Sequence, residues 1–386
     1  MNRRIAIFTT TRAEFGLFVP LLREIEKTNG IEYHLFVGGT HLSDKYGKTI
    51  DEIKNKGFTI KEVFDYIPDE DTSFALSKSL GTETILLSNI FKNHDFDFVL
   101  ILGDRYELLP IVQTAILFKK PIVHLYGGEK TEGALDEQIR HMISKAAHLH
   151  FVSCNEYVKN LMILGENSWR IFNIGSLATD NMMTRPNISK KNIFEKFSLD
   201  INEPFVLLTY HPVTLEFNIK PAQQILNIFN ALKSFNFQVI ITAPNIDDSR
   251  EEIINIINEE VDKNKKYHFI KSLGTDFFHE LLSHCEFILG NSSSGIVEAP
   301  FFKIPTINIG DRQKGRLRHS SIIDTGYEVR DIIIAIEKAL SKSFHDSISD
   351  MKYKFGDGNS ARRIVEVLLK TEVNEKLFRK SLESKK

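Results

Sequence analysis

Short, almost continuous apolar runs alternate with helical segments along the chain, and this alternation constrains the fold more than any other feature of the sequence. The runs cover residues 4–8, 33–37, 98–102, 121–125 and 149–152 in the first half, and residues 204–209, 237–242, 267–270, 286–289 and 305–309 in the second. Stretches between them, such as residues 17–26 and 107–118, carry apolar residues at three- and four-residue spacing. Such runs are typical of parallel strands that helices cover on both faces, so the sequence predicts an α/β protein of βαβ units.

The alternation occurs twice, which predicts two domains. A chain of 386 residues is long enough for two or three domains of about 150 residues each. The polar stretch 179–202 lies between the two halves and is the candidate linker. We therefore predict an N-terminal domain over residues 1–180 and a C-terminal domain over residues 200–365, followed by a C-terminal helix and charged tail over residues 366–386.

Charge and cysteine content exclude several classes of protein. The net charge is −2, whereas nucleic-acid binders usually carry a basic domain or stripe, so we expect no nucleic-acid partner. Two cysteines, Cys154 and Cys285, are too few for a disulfide framework or a cysteine-based zinc site. No apolar stretch approaches the roughly 20 residues that cross a bilayer, and the start of the chain lacks the features of a signal peptide. We expect a cytoplasmic protein without a membrane partner.

In the first half, charged residues follow the predicted strands at the edge where open parallel sheets bind ligands. Arg12 lies in a hydroxyl-rich loop over residues 9–16, which lacks the G-x-G-x-x-G pattern of dinucleotide enzymes. Arg12 could hold a phosphate at a helix start, or it could be a surface residue beside an N-cap. Asp104 and Arg105 follow the run at residues 98–102; they could face a ligand, or Asp104 could cap the next helix.

A third loop, over residues 127–137, combines glycines with carboxylates. Gly127 and Gly128 allow close approach of the backbone, and Glu129 and Asp136 are two of the carboxylates in the segment. Neighbouring carboxylates raise one another's pKa, which suits general acid and base chemistry. The alternative is a solvated acidic loop.

In the second half, four loops carry further candidates. His211 follows one strand and Asn245 the next. The segment 290–298 contains Asn291, Ser292, Ser293 and Glu298 at the start of a predicted helix. Free backbone amides and hydroxyls there could hold a nucleotide phosphate, or the serines could simply cap the helix. Arg312 begins a loop with Lys314, Arg316 and Arg318, which could cover a diphosphate or simply be solvated. No Cys/His cluster indicates a metal site, and the pair Asp247 and Asp248 is treated as surface.

A series of short motifs, taken together and in their order along the chain, identifies a family. The motifs are TRAE (residues 11–14), GGTHLS (38–43), LGDRYE (102–107), GGEKT (127–131), IRH (139–141), HPVT (211–214), GNSSSG (290–295) and NIGDRQ (308–313). Over about residues 1–370 the chain resembles the UDP-N-acetylglucosamine 2-epimerases, within them the hydrolysing branch of sialic and legionaminic acid synthesis. The resemblance implies two Rossmann-like domains with parallel sheets, in a GT-B-like arrangement with a cleft between them, and a C-terminal helix that returns to the first domain. It also implies a UDP-sugar substrate, no cofactor and a homo-oligomer, either a dimer or a tetramer.

The implied reaction converts UDP-N-acetylglucosamine and water into N-acetylmannosamine and UDP. Cleavage of the bond to UDP creates an oxocarbenium-like centre at carbon 1, which makes the proton on carbon 2 removable and gives a 2-acetamidoglucal. Water then adds with inversion at carbon 2. The implied UDP-binding residues are Arg12, Ser292, Ser293, Glu298 and Arg312, with Glu298 on the ribose hydroxyls. The implied proton-transfer residues are Asp104 and Asp136, with His211 near the leaving phosphate; His41 and Asn245 resemble sugar or loop contacts, and Arg105 and Asn291 are counted with the substrate-binding residues.

One position departs from the family pattern. Many relatives have Glu where this chain has Tyr126, in the segment HLYGGE at residues 124–129. A tyrosine cannot be the same carboxylate base. Either Glu129 takes that role, or Asp104 and Asp136 share the proton chemistry in a site built for a different sugar.

Three other functions remain open from the sequence. The substrate could be UDP-2,4-diacetamido-2,4,6-trideoxyglucose, which differs from UDP-N-acetylglucosamine at carbons 4 and 6 of the sugar. A GT-B glycosyltransferase would share the serine-rich loop, but it would need an acceptor and not the carboxylates around Glu129 and Asp136. A nucleotide-sugar sensor without catalytic activity is the third possibility.

Overall fold

The computed structural model describes residues 2–67, 70, 72–213, 216, 218–244, 249–271 and 273–381. The chain forms two compact units. The first consists of Met1–Glu129, Asp136–Met183 and Phe355–Lys386, and the second of Lys130–Leu135 and Thr184–Lys354. No helix in the described ranges is long and apolar enough to cross a membrane.

The first unit contains a seven-stranded parallel sheet with the order β3-β2-β1-β4-β5-β6-β7. Its strands are β1 (Arg3–Thr9), β2 (Ile31–Gly38), β3 (Ile60–Phe64), β4 (Phe98–Leu102), β5 (Ile122–Leu125), β6 (Leu149–Val152) and β7 (Ile171–Asn173). The order runs outward in both directions from β1 and β4. Such a switch point is where open α/β sheets bind ligands, beyond the carboxyl ends of the strands.

Helices cover both faces of this sheet. They are α1 (Arg12–Lys27), α2 (Ile50–Asn55), α3 (Ser73–Asn93), α4 (Leu108–Leu117), α5 (Asp136–Ala146), α6 (Asn155–Ile163), α7 (Leu177–Thr184), α15 (Ser360–Lys370) and α16 (Glu375–Phe378). Alternate residues of a strand point to opposite faces. Accordingly, Ile5 and Ile7 of β1 pack in one cluster with α1 and α15, and Ala6 and Phe8 pack in another with α3, α4 and α5.

The second unit repeats this organisation. Its six-stranded parallel sheet has the order β10-β9-β8-β11-β12-β13. The strands are β8 (Phe205–Thr209), β9 (Gln238–Thr242), β10 (Tyr267–Ile270), β11 (Ile288–Gly290), β12 (Thr306–Ile309) and β13 (Ile322–Thr325). The helices are α8 (Lys190–Lys196), α9 (Pro221–Leu232), α10 (Arg250–Lys263), α11 (Thr275–His284), α12 (Ser293–Val297), α13 (Val329–Leu340) and α14 (Lys342–Ile348).

The predicted α/β class with two parallel sheets is confirmed. The edge strands β3, β7 and β13 are not predicted from the sequence, because these three contain few continuous apolar residues, whereas the edge strand β10 is predicted at residues 267–270. The candidate linker at residues 179–202 is partly helical, since it contains the end of α7 and the whole of α8. The predicted domain boundaries stay a prediction.

Candidate active site

The first unit brings its predicted site residues to one edge of the sheet. Arg12 begins α1 directly after β1, His41 follows β2, Asp104 and Arg105 follow β4, Glu129 follows β5, and Asp136 is the first residue of α5. The carboxyl ends of parallel strands lie at the same edge, so these residues surround the switch point between β1 and β4.

Arg140, a buried arginine that was not predicted as a site residue, contacts two of these positions, Asp104 and Glu129, and also Glu137. The guanidinium of Arg140 is ion-paired with Asp104, donates to the carbonyl oxygen of Glu129 at 3.0 Å, and donates to Oε2 of Glu137 at 2.6 Å. Burial lowers the pKa of Arg140, but the surrounding carboxylates raise it more, so the net shift is upward. Asp104 is therefore not the cap of α4, whose N-cap residue is Glu107.

Ser144, which lies on the same face of α5 as Arg140, helps to hold the backbone beside Asp104 through His124. Nε2 of His124 lies 2.7 Å from the carbonyl oxygen of Gly103, and its Nδ1 lies 3.3 Å from Oγ of Ser144, one helical turn after Arg140. Burial lowers the pKa of His124 to about 3, so the ring is neutral. Because a carbonyl only accepts, Nε2 carries the proton and Nδ1 accepts from the Ser144 hydroxyl.

His41 connects the ends of the first two strands. Its Nε2 lies 3.0 Å from Oγ1 of Thr9 and its Nδ1 lies 2.7 Å from Oγ1 of Thr49, and the side chain has no exposed surface. Burial lowers its pKa to about 3. Burial also lowers the pKa of Arg12, against the attraction of Glu52. The structure thus gives His41 a bridging position within the loop and leaves its contact with a sugar a prediction.

Arg105 lies beside the buried carboxylate of Glu107, with 3.3 Å between Nε and Oε2, and its guanidinium lies 4.9 Å from the ring centre of Tyr106. Its neighbour across the switch point, Glu14, accepts a hydrogen bond from the backbone amide of Thr10 at 2.9 Å. Burial raises the pKa of Glu14 to about 8. A cation and two carboxyl groups therefore line the loops after β1 and β4.

Tyr126, which replaces the family glutamate, links two loops. Its hydroxyl accepts a hydrogen bond from the backbone amide of Leu177 at 2.9 Å and lies 3.2 Å from Oγ of Ser176. Burial raises its pKa above the ordinary value, and its backbone adopts the left-handed conformation with φ of 67°. The hydroxyl of Tyr126 therefore joins the loop after β5 to the loop after β7.

The chain between Glu129 and Asp136 folds with the second unit. Residues 130–135 pack against the loop over residues 311–315, and the amide of Glu132 donates to the carbonyl oxygen of Lys314 at 3.1 Å. A Cβ atom at Gly133 would overlap the carbonyl oxygen of Asp311. The acidic loop predicted from the sequence is therefore not one solvated segment.

In the second unit, an asparagine holds the backbone of His211. Oδ1 of Asn291 accepts from the amide of His211, and Nδ2 of Asn291 donates to the His211 carbonyl oxygen, both at 2.8 Å. The Asn291 carbonyl oxygen in turn accepts from Arg312 at 3.2 Å and from Gln313 at 2.9 Å. The loops after β8, β11 and β12 are thus joined through Asn291, whose side chain is fully buried.

The serine-rich segment combines a cap with a held carboxylate. The hydroxyl of Ser292 accepts from the amide of Ser294 at 3.3 Å and so caps the short helix α12, while Ser293 is exposed. At the other end of α12, Oε1 of Glu298 lies 3.1 Å from Nε2 of His279. The capping interpretation of the serines is therefore correct for Ser292, and its contact with a phosphate stays a prediction.

Part of the predicted cationic loop is engaged within the protein. Arg318 is paired with Asp324 at 3.1 Å, and Nζ of Lys314 lies 3.9 Å from a carboxylate oxygen of Asp311. Asn245 and the pair Asp247 and Asp248 lie outside the described residues. Among the residues that the structure describes, no group of three or more His, Cys, Asp or Glu side chains could hold a metal ion.

The chain thus consists of two α/β units, each with polar loops at the carboxyl ends of its parallel strands, where open α/β sheets bind ligands. A family model described as UDP-N-acetylglucosamine 2-epimerase matches residues 23–369. The Campylobacter jejuni protein named GDP/UDP-N,N'-diacetylbacillosamine 2-epimerase (hydrolyzing) is 38% identical over 374 residues, which cover 96% of each chain. The UDP-N-acetylglucosamine 2-epimerase of Neisseria meningitidis serogroup B is 34% identical over 95% of each chain.

A solved structure shares the fold of this chain. The crystal structure of UDP-GlcNAc 2-epimerase from Neisseria meningitidis bound to UDP-GlcNAc matches with a TM-score of 0.82 at 19% sequence identity, covering 96% of this chain and 100% of that one. The chain belongs to the UDP-N-acetylglucosamine 2-epimerase family. Its enzyme class is that of the UDP-sugar 2-epimerases.

Proposed function

We propose that the protein is a hydrolysing 2-epimerase, which converts a UDP-sugar and water into UDP and the free sugar with inverted configuration at carbon 2. The observation that carries this proposal is the 38% identity, over almost the whole chain, to a relative whose name states the hydrolysing reaction. The carboxylate cluster around Arg140 supports it, because elimination and hydration need groups that remove and return a proton.

The proposed substrate is UDP-N,N'-diacetylbacillosamine, a 2,4-diacetamido-2,4,6-trideoxy sugar. That relative is named for the GDP or UDP form of this sugar, and a second relative, 32% identical, is named for the UDP form. A second candidate is UDP-N-acetylglucosamine, with N-acetylmannosamine as the product. It is supported by the relative of Neisseria meningitidis, which is 34% identical over 95% of this chain. The two sugars differ at carbons 4 and 6, so the distinction lies in the sugar pocket and not in the chemistry at carbons 1 and 2.

In the proposed reaction, the bond between carbon 1 and the UDP oxygen breaks and the proton on carbon 2 leaves to a carboxylate, giving the 2-acetamidoglucal. Water then adds its hydroxyl to carbon 1, and a proton enters carbon 2 from the opposite face. Asp104 and Asp136, with Glu129, are the proposed proton-transfer groups. The guanidinium of Arg140 is ion-paired with the carboxylates of Asp104 and Glu137, so it holds Asp104 in place for its proposed role.

Each unit contains residues that are proposed to bind the diphosphate. Arg12 supplies a partly desolvated guanidinium in the first unit, and Arg312, Ser292 and Ser293 lie in the strand-end loops of the second. His211, whose backbone Asn291 holds at both its amide and its carbonyl, is proposed to stabilise the leaving phosphate.

The test is product identification by NMR after incubation with each of the two UDP-sugars in deuterated water. We expect free 2-epimerised sugar with deuterium at carbon 2, formed faster from the diacetamido sugar. An interconverted UDP-sugar without free sugar would refute hydrolysis, and free sugar without deuterium would refute elimination. Transfer to an added acceptor would favour a glycosyltransferase instead.

Variants then test the proposed roles. Asp104→Asn should lower kcat by at least about 100-fold while the dissociation constant for UDP changes little. Asp95→Asn is the matched control, because Asp95 is an exposed residue of the same unit, and its turnover should stay at the level of the unmodified enzyme. Equal losses of UDP affinity and turnover in Asp104→Asn would contradict a role in proton transfer.

A further inference from the structure

A buried histidine lies behind the carboxylate of Glu298. His279 is in α11, its side chain is 1% exposed, and its Nε2 lies 3.1 Å from Oε1 of Glu298. Because a carboxylate only accepts hydrogen bonds, this ring nitrogen is the donor. The Nδ1 atom of His279 has no hydrogen-bond partner within the described residues, so the bond to Glu298 is the polar contact that its ring makes there.

The surroundings of His279 fix its ring. The rings of Phe278 and Phe302 lie 6.2 and 6.4 Å from the imidazole centre, so aromatic groups flank it. A side chain enclosed in this way has little rotational freedom to lose when it forms a hydrogen bond. The donor is therefore preorganised toward Glu298.

Glu298 itself is held but still accessible. Its side chain keeps 14% of its surface exposed, and it also hydrogen-bonds the hydroxyl of Ser294 one turn earlier. Burial raises its pKa, but the hydrogen bonds from His279 and Ser294 lower it more, so the group is a carboxylate at neutral pH. An oriented carboxylate with exposed surface can accept hydrogen bonds from a ligand that carries hydroxyl groups.

We propose that His279 is a positioning residue for nucleotide recognition: through its bond to Glu298 it orients the carboxylate that accepts the hydroxyls of the ribose. This inference rests on the proposed function, which makes a uridine nucleotide the ligand, and on the expectation from the family resemblance that Glu298 binds the ribose hydroxyls. His279 acts on the sugar of the nucleotide without touching it. Its loss therefore weakens recognition of the 2'-hydroxyl selectively.

The experiment compares the dissociation constants of UDP and 2'-deoxy-UDP by calorimetry for four variants. His279→Phe removes the donor, and His279→Gln keeps an N–H group near the position of Nε2. Glu298→Gln removes the charge that accepts the hydroxyls. His284→Gln is the matched control, because His284 lies on the same helix and is 39% exposed.

We expect the unmodified enzyme to bind UDP about tenfold or more tightly than 2'-deoxy-UDP, as one hydrogen bond to a charged group allows. His279→Phe and Glu298→Gln should bring this ratio close to one, chiefly by weakening UDP binding. His279→Gln should keep most of the ratio, and His284→Gln all of it. If His279→Phe does not fold, His279→Asn replaces it, because its shorter amide does not reach Glu298.

Equal weakening of both nucleotides by His279→Phe, or an unchanged ratio, would overturn the positioning role. An unchanged ratio in Glu298→Gln would overturn the ribose assignment and the role of His279 with it. Neither result concerns the epimerase reaction, because sugar products are measured separately by NMR. Absence of epimerised sugar would refute the proposed function. The ratio of the dissociation constants of UDP and 2'-deoxy-UDP would still test the role of His279.

Discussion

Replacing one fully buried glutamate should make the protein more stable, and increasingly so as the pH rises. Glu83 lies on α3 with no exposed surface, and neither of its carboxylate oxygens has a hydrogen-bond partner in the part of the chain that the structure describes. Burial, with the charges of Glu107 and Glu14 nearby, raises its pKa to about 10. The folded protein therefore keeps this carboxyl group protonated at neutral pH.

The sign of the pH dependence follows from the direction of the shift. In the unfolded chain Glu83 ionises near its ordinary pKa of 4.5, whereas in the folded protein it stays neutral up to about pH 10. Between these values the folded state binds the extra proton, so stability falls as the pH rises, by up to about 1.4 kcal/mol per pH unit. At pH 8 the accumulated loss from this group is on the order of 5 kcal/mol.

Glu83→Gln has nearly the same shape and cannot ionise, so it removes that loss. We expect the variant to match the unmodified protein near pH 4.5 and to exceed its free energy of unfolding by a margin that grows steadily to pH 8. Urea unfolding at intervals between pH 5 and 9, followed by the fluorescence of the single tryptophan, Trp169, reports on the unit that contains Glu83. Glu156→Gln is the control at an exposed position of the same unit and should show no such trend. Parallel stability curves for Glu83→Gln and the unmodified protein would refute the reasoning.

Three further substitutions test contacts of the site. Arg140→Met should cost about 3–5 kcal/mol of unfolding free energy in urea, because it removes a buried cation from its ion pairs with the partly buried carboxylates of Asp104 and Glu137. Exposed Arg362→Met should cost less than about 1 kcal/mol, and similar costs would contradict this reasoning. Gly133→Ala should lower the free energy of unfolding by about 1–3 kcal/mol, because the added methyl group overlaps the loop over residues 311–315. Gly81→Ala, where the methyl group meets open space in a helix, should be neutral or stabilising. A larger loss of stability in Gly81→Ala than in Gly133→Ala would argue against that packing. Tyr126→Phe should lower the free energy of unfolding by about 1–3 kcal/mol, because it leaves the backbone amide of Leu177 without its acceptor. The kcat of this variant should stay within a few-fold of that of the unmodified enzyme. A loss of kcat of about 100-fold at unchanged stability would make the phenol a catalytic group.

The sequence predicts those parts of the fold that follow from local pattern. Central strands such as β1, β4 and β8 are apolar on both faces because helices cover both sides, so their runs are visible in the sequence. The edge strands β3 and β13 are each half-covered and alternate between buried and exposed residues, and β7 has only three residues. Nothing local distinguishes them from loops. Their pairing is fixed by neighbours that are distant in the chain.

For the candidate site, too, the sequence predicts some residues and not others. The rule that ligands bind at the carboxyl ends of parallel strands is enough to select the loops that contain Arg12, Asp104 and Arg312. It does not reveal which side chain in a loop faces another loop. Arg140 is detectable in principle, because Asp136, Arg140 and Ser144 recur at four-residue spacing and so share one face of α5. His279 carries no comparable signal, since its partner Glu298 lies 19 positions away on a different element.

Tyr126 shows why a departure from a family pattern needs contacts for its interpretation. From the sequence alone, the tyrosine shows that the family carboxylate is missing at this position, and it leaves open whether Glu129, or Asp104 with Asp136, takes over the proton chemistry. The hydroxyl accepts from the amide of Leu177 and lies beside Ser176, so its hydrogen-bonding capacity is used in holding the loop after β7. Burial also raises its pKa, which makes the phenolate a costly species. These contacts favour a structural role for Tyr126, so the proposed proton-transfer groups remain the carboxylates of Asp104, Asp136 and Glu129.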